Sequence, residues 1–327
     1  MKAIVQDGYG SADVLQLREI DKPVVTEGGV LVRVRAASVN ALDWHSVHGG
    51  KMIRVVSALM RQPEQPVRGV DVAGEVEAVG AGVTRFAPGD EVFGGAPAAF
   101  AEYALARESA LVLKPRNLSF EQAAAIGVAG RTALQGLRDK AKVKPGQRVL
   151  ISGAGGGVGT FAVQIAKALG AHVTALTSTR NLELIRSLGP DEVIDYTQED
   201  FTRREERYDV VFDVAANRSV ADLRRVLTPN GTLVLVGADK RGGLAIFTRI
   251  AAAFARSRLL RQRIVFYVAK ATQADLVVLK DMIEAGTLCP AIDRTYPLAE
   301  GADAVRYLGS GQARAKVVIT MTAPSLP

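Results

Sequence analysis

The stretch Val149-Leu-Ile-Ser-Gly-Ala-Gly-Gly-Gly-Val-Gly159, followed by Phe161-Ala-Val-Gln-Ile-Ala-Lys-Ala-Leu-Gly170, decides the fold of this chain. An apolar, strand-like run meets a glycine cluster and turns at once into a helical apolar pattern. That order aims the free N–H groups of a helix N-terminus at a phosphate lying on the turn.

Downstream, strand and helix patterns alternate. Strands are expected at 148–152, 172–176, 192–194, 209–213 and 231–236, and helices at 158–169, 181–188, 219–227 and 275–285. Such alternation means βαβ units: a parallel sheet with helices on both faces. Upstream, to about Leu113, short alternating runs at 30–38, 70–79, 91–93 and 100–105 are cut by Gly, Pro and Asp. They read as a twisted antiparallel, barrel-like domain. Ser119-Phe-Glu-Gln122 fits a capping box that opens a helix through 123–125, which Gly127 and Gly130 interrupt before a second helical stretch at 132–138. A helix near 304–308 and a last strand at 316–321 close the chain, and periodicity assigns that strand to neither half.

At 327 residues, 48% hydrophobic and 23% charged, the chain is long enough for two buried cores. Its first residues lack the apolar core of a signal peptide, which sets the expectation of a cytoplasmic protein. The apolar runs are broken by Lys or Arg before they reach membrane-spanning length. Cys289 is the only cysteine, which excludes an intrachain disulfide and a multi-cysteine zinc site. Part of the net charge of +7 is local: between Lys240 and Arg263 stand seven basic residues and no acid, interleaved with apolar ones. Such a segment is a solvated face beside an anion-attracting cleft, or an amphipathic surface for a membrane or partner.

A dinucleotide fingerprint wants G-x-G-x-x-G. Here Ala154 takes the first place, Gly156 the second and Gly159 the third, with Gly155, Gly157 and Val158 between them. Gly156 lets the backbone approach a pyrophosphate and Gly159 lets the helix pack on the strand, while Ala154 makes the match a variant. An NAD site offers a carboxylate at the end of the second strand, about 20 residues on. This chain has no acid between Gly159 and Glu183. Thr177 does not repel a 2′-phosphate, and Ser178 and Arg180 donate to one, so NADPH is expected over NADH. Were the acid present, Arg180 would read as a solvated first-turn residue.

At this point the chain resembles the medium-chain dehydrogenase/reductase superfamily, in its zinc-independent quinone oxidoreductase (zeta-crystallin-like) branch. The resemblance rests on Ala37-Ser-Val-Asn-Ala-Leu-Asp43, the block from Pro66 to Val79 with Gly74, Phe86-Ala-Pro-Gly-Asp-Glu-Val-Phe93, Phe100-Ala-Glu-Tyr103, Ala129-Gly-Arg-Thr-Ala133, the fingerprint, and Ala315-Lys-Val-Val318. It implies a GroES-like antiparallel β-barrel substrate domain at residues 1–122 and 291–327, and a Rossmann doubly wound NADP-binding domain at 123–290. It also implies that the last strand rejoins the barrel and that the protein is a homodimer.

In zinc-dependent members of that superfamily the metal ligands stand where this chain has Asn40, Val70-Asp71 and the region around Gly127. His45, His48, His172 and Cys289 show no metal spacing, so the resemblance implies hydride transfer without zinc to a quinone or an α,β-unsaturated carbonyl. It places Asn40 and Asp43 at the substrate end. Asn40 either donates to a substrate carbonyl or caps a loop, and Asp43 either touches ligand or braces that loop. His45 either supplies a proton or is a structural residue beside Trp44. Toward the cofactor the resemblance carries over Thr132, Tyr196, Asn217, Val236, Gly237, Phe266, Val268 and Lys316. It puts Ala315 where the family has glycine. The reading from a different class is an NADPH-binding sensor or scaffold without turnover, held to RNA or a membrane by the basic segment. No nucleic acid is expected as a partner of the enzyme itself.

Overall fold

A computed structural model describes residues 1–49, 66–236 and 261–321 of the chain. Its strands in chain order are β1 (Lys2–Gln6), β2 (Leu15–Glu19), β3 (Gly29–Val39), β4 (Asp71–Val79), β5 (Glu91–Gly95), β6 (Tyr103–Arg107), β7 (Leu111–Leu113), β8 (Arg148–Ser152), β9 (His172–Thr177), β10 (Glu192–Asp195), β11 (Tyr208–Asp213), β12 (Leu227–Leu235), β13 (Arg263–Phe266), β14 (Ile292–Pro297) and β15 (Lys316–Thr320). The α-helices are α1 (Ala41–His48), α2 (Phe120–Ala124), α3 (Gly127–Leu134), α4 (Gly157–Ala168), α5 (Leu182–Ser187), α6 (Val220–Arg225), α7 (Gln273–Glu284) and α8 (Gly301–Ser310).

Two compact units form, one from residues 1–131 and 271–327 and the other from 132–270. The sequence reading puts the boundaries at 122/123 and 290/291. The first difference lies at the start of α3, where the Val128 N–H donates to Asp71 at 2.9 Å, and the second in α7, whose side chains are committed to the first unit. Gln273 Nε2 donates to the carbonyls of Leu111 at 2.5 Å and Glu108 at 3.2 Å, and Asn117 Nδ2 donates to the carbonyl of Ile283 at 3.0 Å.

In the first unit the strands order as β14-β15-β3-β4-β5-β7, with β6 on β3, all antiparallel except β14 against β15. The alternation in β3 and β4 turns Val30, Val32, Val34, Val72 and Val76 into a core shared with Phe100, Leu111, Val317 and Ile319. β3 curls through two register shifts against β4, where a Cβ on Gly74 would overlap the Arg33 carbonyl. β15 pairs with residues 36–39 of β3, so the last strand belongs to the barrel. Ala315 enters it at φ 56, a left-handed conformation in which alanine is disfavoured by about 1 kcal/mol relative to glycine.

In the second unit the order β10-β9-β8-β11-β12-β13 is parallel throughout, the doubly wound arrangement. Val149, Leu150 and Ile151 of the central β8 are fully buried, as are Phe161, Ala162, Val163, Ile165 and Ala166 of α4. A run buried on both sides is what a central parallel strand demands.

The capping box forms as expected, with Ser119 Oγ accepting from Gln122 N and Gln122 Oε1 accepting from Ser119 N. The expected break before a second helix occurs, but at residues 125–126 and not at the glycines: α3 begins at Gly127 and runs through Gly130. Both glycines serve close approach instead. A Cβ on Gly127 would overlap Asp71 Oδ1, and one on Gly130 would lie 3.0 Å from Leu279 Cδ1. The expected helix at 132–138 continues α3 and widens into a π-helix over Gln135–Ala141.

Trp44 is the only tryptophan of the chain, and a Cβ on Gly309 of α8 would overlap its indole nitrogen. Gly309→Ala is therefore expected to displace α1 from α8. The checks are a shifted tryptophan emission and a loss of about 1–3 kcal/mol in urea unfolding, the range for overpacking.

Candidate active-site elements

In doubly wound sheets ligands bind outside the carboxyl ends of the strands, where the strand order reverses. Here the reversal lies between β8 and β11, so a dinucleotide laid across it puts one half over β9 and β10 and the other over β11 to β13. At the end of β8 the left-handed residue is Gly153 at φ 80, not Ala154. Ala154 is buried and donates its N–H to the Leu176 carbonyl at 3.0 Å. The left-handed turn thus falls on Gly153, one residue before the first place of the fingerprint, so the first place tolerates the Cβ of Ala154 while Gly156 and Gly159 keep the second and third places.

The glycines divide by task. A Cβ on Gly159 would overlap the Gly153 carbonyl and come within 2.7 Å of Ala154 Cα, so α4 packs on the turn only through glycine. A Cβ on Gly155 would overlap Asn181 Nδ2 and lie 2.9 Å from Thr177 Oγ1. Gly156, the N-cap of α4, faces open space, with only the Gly153 carbonyl at 3.6 Å from its Cβ position. Gly157 and Val158 form the first turn of α4 behind it. Beneath the turn, Thr177 Oγ1 and Asn181 Oδ1 are buried with no hydrogen-bond partner among the described residues. Buried orphan acceptors beside an open helix N-terminus fit a ligand that brings hydroxyl groups and phosphate. Asn181 escaped the sequence reading, which saw only the start of a helix there.

Of the expected 2′-phosphate residues, Thr177 turns inward, its side chain buried under Gly155. Ser178 is half-buried and Arg180 exposed just past β9, while Tyr196 is 40% exposed just past β10 and donates its N–H to the Thr177 carbonyl at 3.1 Å. The acid nearest this edge, Asp195, is tied to Thr179 Oγ1 at 2.5 Å and to Thr197 Oγ1 at 2.7 Å, and the Thr179 bond is the main cause of its lowered pKa. On the other half, Asn217 is exposed in the turn after β11, and Val236, just past β12, is buried with its N–H on the Asp213 carbonyl at 2.9 Å. Phe266 ends β13 at 39% exposure and Val268 follows at 79%. Thr132 is half-buried in α3. Gly237 lies outside the described residues, as does the basic segment up to residue 260.

The barrel unit carries a buried charged cluster at the places the sequence reading relates to zinc ligands. Asp71 accepts from Asn40 Nδ2 at 2.9 Å, Ser38 Oγ at 3.1 Å and the Val128 N–H at 2.9 Å. Lys316 Nζ stands against them, donating to Asn40 Oδ1 at 2.6 Å and to the Val39 carbonyl at 3.3 Å, with Asp71 Oδ2 at 3.9 Å. A cation therefore does sit here, and it is the chain's own ammonium. Its side chain is 3% exposed, and burial pushes its pKa down while Asp71 and Asp43 push it up. Among the described residues no group of three His, Cys, Asp or Glu is placed to hold a metal.

This cluster assigns Asn40 differently from a free carbonyl donor. One amide hydrogen goes to Asp71 and the other to the Ser38 carbonyl at 3.2 Å, and its oxygen is held by Lys316. Asp43 braces the loop, accepting the Asn40 backbone N–H at 2.8 Å. His45 is half-buried with its ring edge-on to Trp44 at 5.0 Å, and burial, with His48 adding to it, pushes its pKa below the usual histidine value. That geometry favours the structural reading of His45 over proton supply. Lys316, expected near the cofactor, has its ammonium committed inside the barrel unit.

Burial raises the Asp43 pKa to about 7, against the Asn40 N–H and the Lys316 charge that favour the carboxylate; Asp71 adds to the rise. The folded protein then keeps a proton that the unfolded chain releases near the ordinary carboxyl value of 3.8. The site's contribution to stability is full below about pH 4 and is lost as pH rises to about 7, at up to about 1.4 kcal/mol per pH unit. Asp43→Asn is expected to flatten this slope in urea unfolding measured across that window; an unchanged slope would place the proton elsewhere.

Two family models match the chain: the alcohol dehydrogenase GroES-like domain over residues 26–116 and the zinc-binding dehydrogenase domain over residues 188–319. A tomato (Solanum lycopersicum) protein named 2-methylene-furan-3-one reductase is 35% identical, covering 98% of this chain and 79% of its own length. The NADPH-dependent alkenal/one oxidoreductase of Arabidopsis thaliana chloroplasts is also 35% identical, with the same 98% and 79% coverage. The quinone oxidoreductase structure from Coxiella burnetii superposes with a TM-score of 0.87 at 31% identity, covering 98% of this chain and 99% of that one. The two sheets, the glycine turn and these full-length matches agree: the chain belongs to the medium-chain dehydrogenase/reductase superfamily, in its quinone oxidoreductase branch.

Proposed function

We propose that this protein is an NADPH-dependent reductase of α,β-unsaturated carbonyls and quinones that works without a metal. The observation that carries the cofactor assignment is the edge formed by β9 and β10. No carboxylate ends β9, Asp195 is tied down by threonines, and Ser178, Arg180 and Tyr196 stand at that edge. An NADH site would place an acid where Thr177 turns inward. The relatives named for alkenal/one and 2-methylene-furan-3-one reduction support the acceptor class.

Gly153, Gly156 and Gly159 would hold the pyrophosphate against α4, with Asn181 and Thr177 beneath the turn and Arg180 and Ser178 on the 2′-phosphate. Held there, NADPH would supply a hydride to the β-carbon of an enone as its C=C bond opens. The acceptor's α-carbon then takes a proton from water, so no side chain is required as the acid. Conjugation spreads the developing charge onto the acceptor oxygen, which lowers the demand for a Lewis acid. The Lys316–Asn40–Asp71 cluster holds the start of α1 and the start of α3 in place, and its ammonium satisfies the charge that a metal would otherwise balance. The protein is proposed to act as a homodimer, as the family resemblance implies.

The test is nucleotide oxidation by the purified protein over a panel of enones, quinones and saturated aldehydes, with NADPH and with NADH, before and after treatment with a chelator. Turnover is expected with an enone or quinone, faster with NADPH, and unchanged by the chelator. Turnover confined to saturated aldehydes, or abolished by the chelator, would contradict the proposal.

A further inference from the structure

The segment that follows β13 is fastened to the first residues of its unit by two side chains. The Tyr267 hydroxyl donates to the Thr132 carbonyl. Gln135 grips Lys270 from both sides: its Nε2 donates to the Lys270 carbonyl at 2.8 Å, and its Oε1 accepts the Lys270 N–H at 2.9 Å. That pair of bonds does for residue 270 what a neighbouring strand would do, and it satisfies both of its backbone groups.

The helix is shaped to make these contacts. α3 widens into its π-helical turn at Gln135, and a Cβ on Gly136 would overlap both the Tyr267 hydroxyl and the Phe212 ring. π-helical turns are uncommon and concentrate at functional sites. Burial, with Asp139 adding to it, pushes the Tyr267 phenol far above its ordinary pKa, so the hydroxyl remains a donor at every physiological pH. Lys140 Nζ lies 6.0 Å from the centre of its ring.

Fixing Tyr267 inward fixes its neighbours outward. Phe266 at 39% exposure and Val268 at 79% flank a tyrosine at 9%. The two apolar side chains stand at the carboxyl end of β13, on the side of the strand reversal opposite the 2′-phosphate edge. The nicotinamide half of a dinucleotide laid across the reversal falls on that side.

We infer that Tyr267 and Gln135 are positioning residues: their grip on Thr132 and Lys270 aims Phe266 and Val268 at the nicotinamide end of the cofactor. This rests on the NADPH reading proposed above. Neither side chain touches the reacting atoms, and their effect passes through the segment they hold.

Calorimetric titration of the full-length protein with NADPH and with adenosine 2′,5′-bisphosphate, which lacks the nicotinamide half, tests this. Tyr267→Phe removes only the hydroxyl, and Gln135→Met keeps side-chain length without the paired bonds. Each variant is expected to bind NADPH about tenfold more weakly and the bisphosphate within about twofold of the parent protein. Parent-like NADPH affinity in both variants would overturn the inference and leave the cofactor assignment standing. Equal weakening of both ligands would reduce the pair to a general structural role and overturn it too. A parent protein that binds neither ligand would overturn the cofactor assignment, and the inference with it.

Discussion

The Rossmann unit depends on one close approach: α4 reaches its place only because Gly159 has no side chain to meet the Gly153 carbonyl and the Ala154 backbone. That contact sets how tightly the turn closes. It brings the N-terminus of α4 to the carboxyl end of β8 and leaves Gly156 facing open space. It also presses Gly155 onto Asn181 and Thr177, whose buried oxygens have no partner among the described residues. A steric requirement at one residue thereby produces a phosphate-facing helix end and a pair of unsatisfied acceptors side by side.

The barrel unit is organised by an electrostatic constraint. Asp71, at zero exposure, cannot remain buried without donors, and it has three: Ser38, Asn40 and Val128. Lys316 supplies the opposite charge from the last strand. Removing one member of such a cluster leaves a buried charge unpaired, which is typically destabilising by about 3–5 kcal/mol. The cluster ties β15, the start of α1 and the start of α3 together, which gives a physical reason for the last strand to return to the barrel. It also explains why Asn40 holds the loop and does not present a free amide.

The alternation of strands and helices, the capping box at Ser119 and the antiparallel first half could all be read from residue patterns, because each is set by local spacing. Which residue makes the left-handed turn before the fingerprint could not. Glycine letters mark where a Cβ is absent but not which residue takes a positive φ, and that residue is Gly153. Gly127 and Gly130 read as helix breakers because the intrinsic propensity of glycine is poor, a cost of about 1 kcal/mol in a helix interior, yet α3 keeps both where Asp71 and Leu279 leave little room for a Cβ. Asn40 offered a free amide on paper, and the partners that occupy it, Asp71 on its nitrogen and Lys316 on its oxygen, lie 31 and 276 residues away. Asn181 carried no sequence signal beyond its place after the second strand. Its distinction is a buried, unpartnered oxygen, a property of the fold.

The proposed reaction is direct hydride transfer from NADPH to a conjugated acceptor with no metal. The most direct measurement is a single turnover of metal-stripped protein with NADPH deuterated at C4 of the nicotinamide and a simple enone in ordinary water. One deuterium is expected on the former β-carbon and protium from solvent on the α-carbon. Product that carries no deuterium with either face of the nicotinamide labelled, or turnover that returns only when zinc is restored, would contradict it.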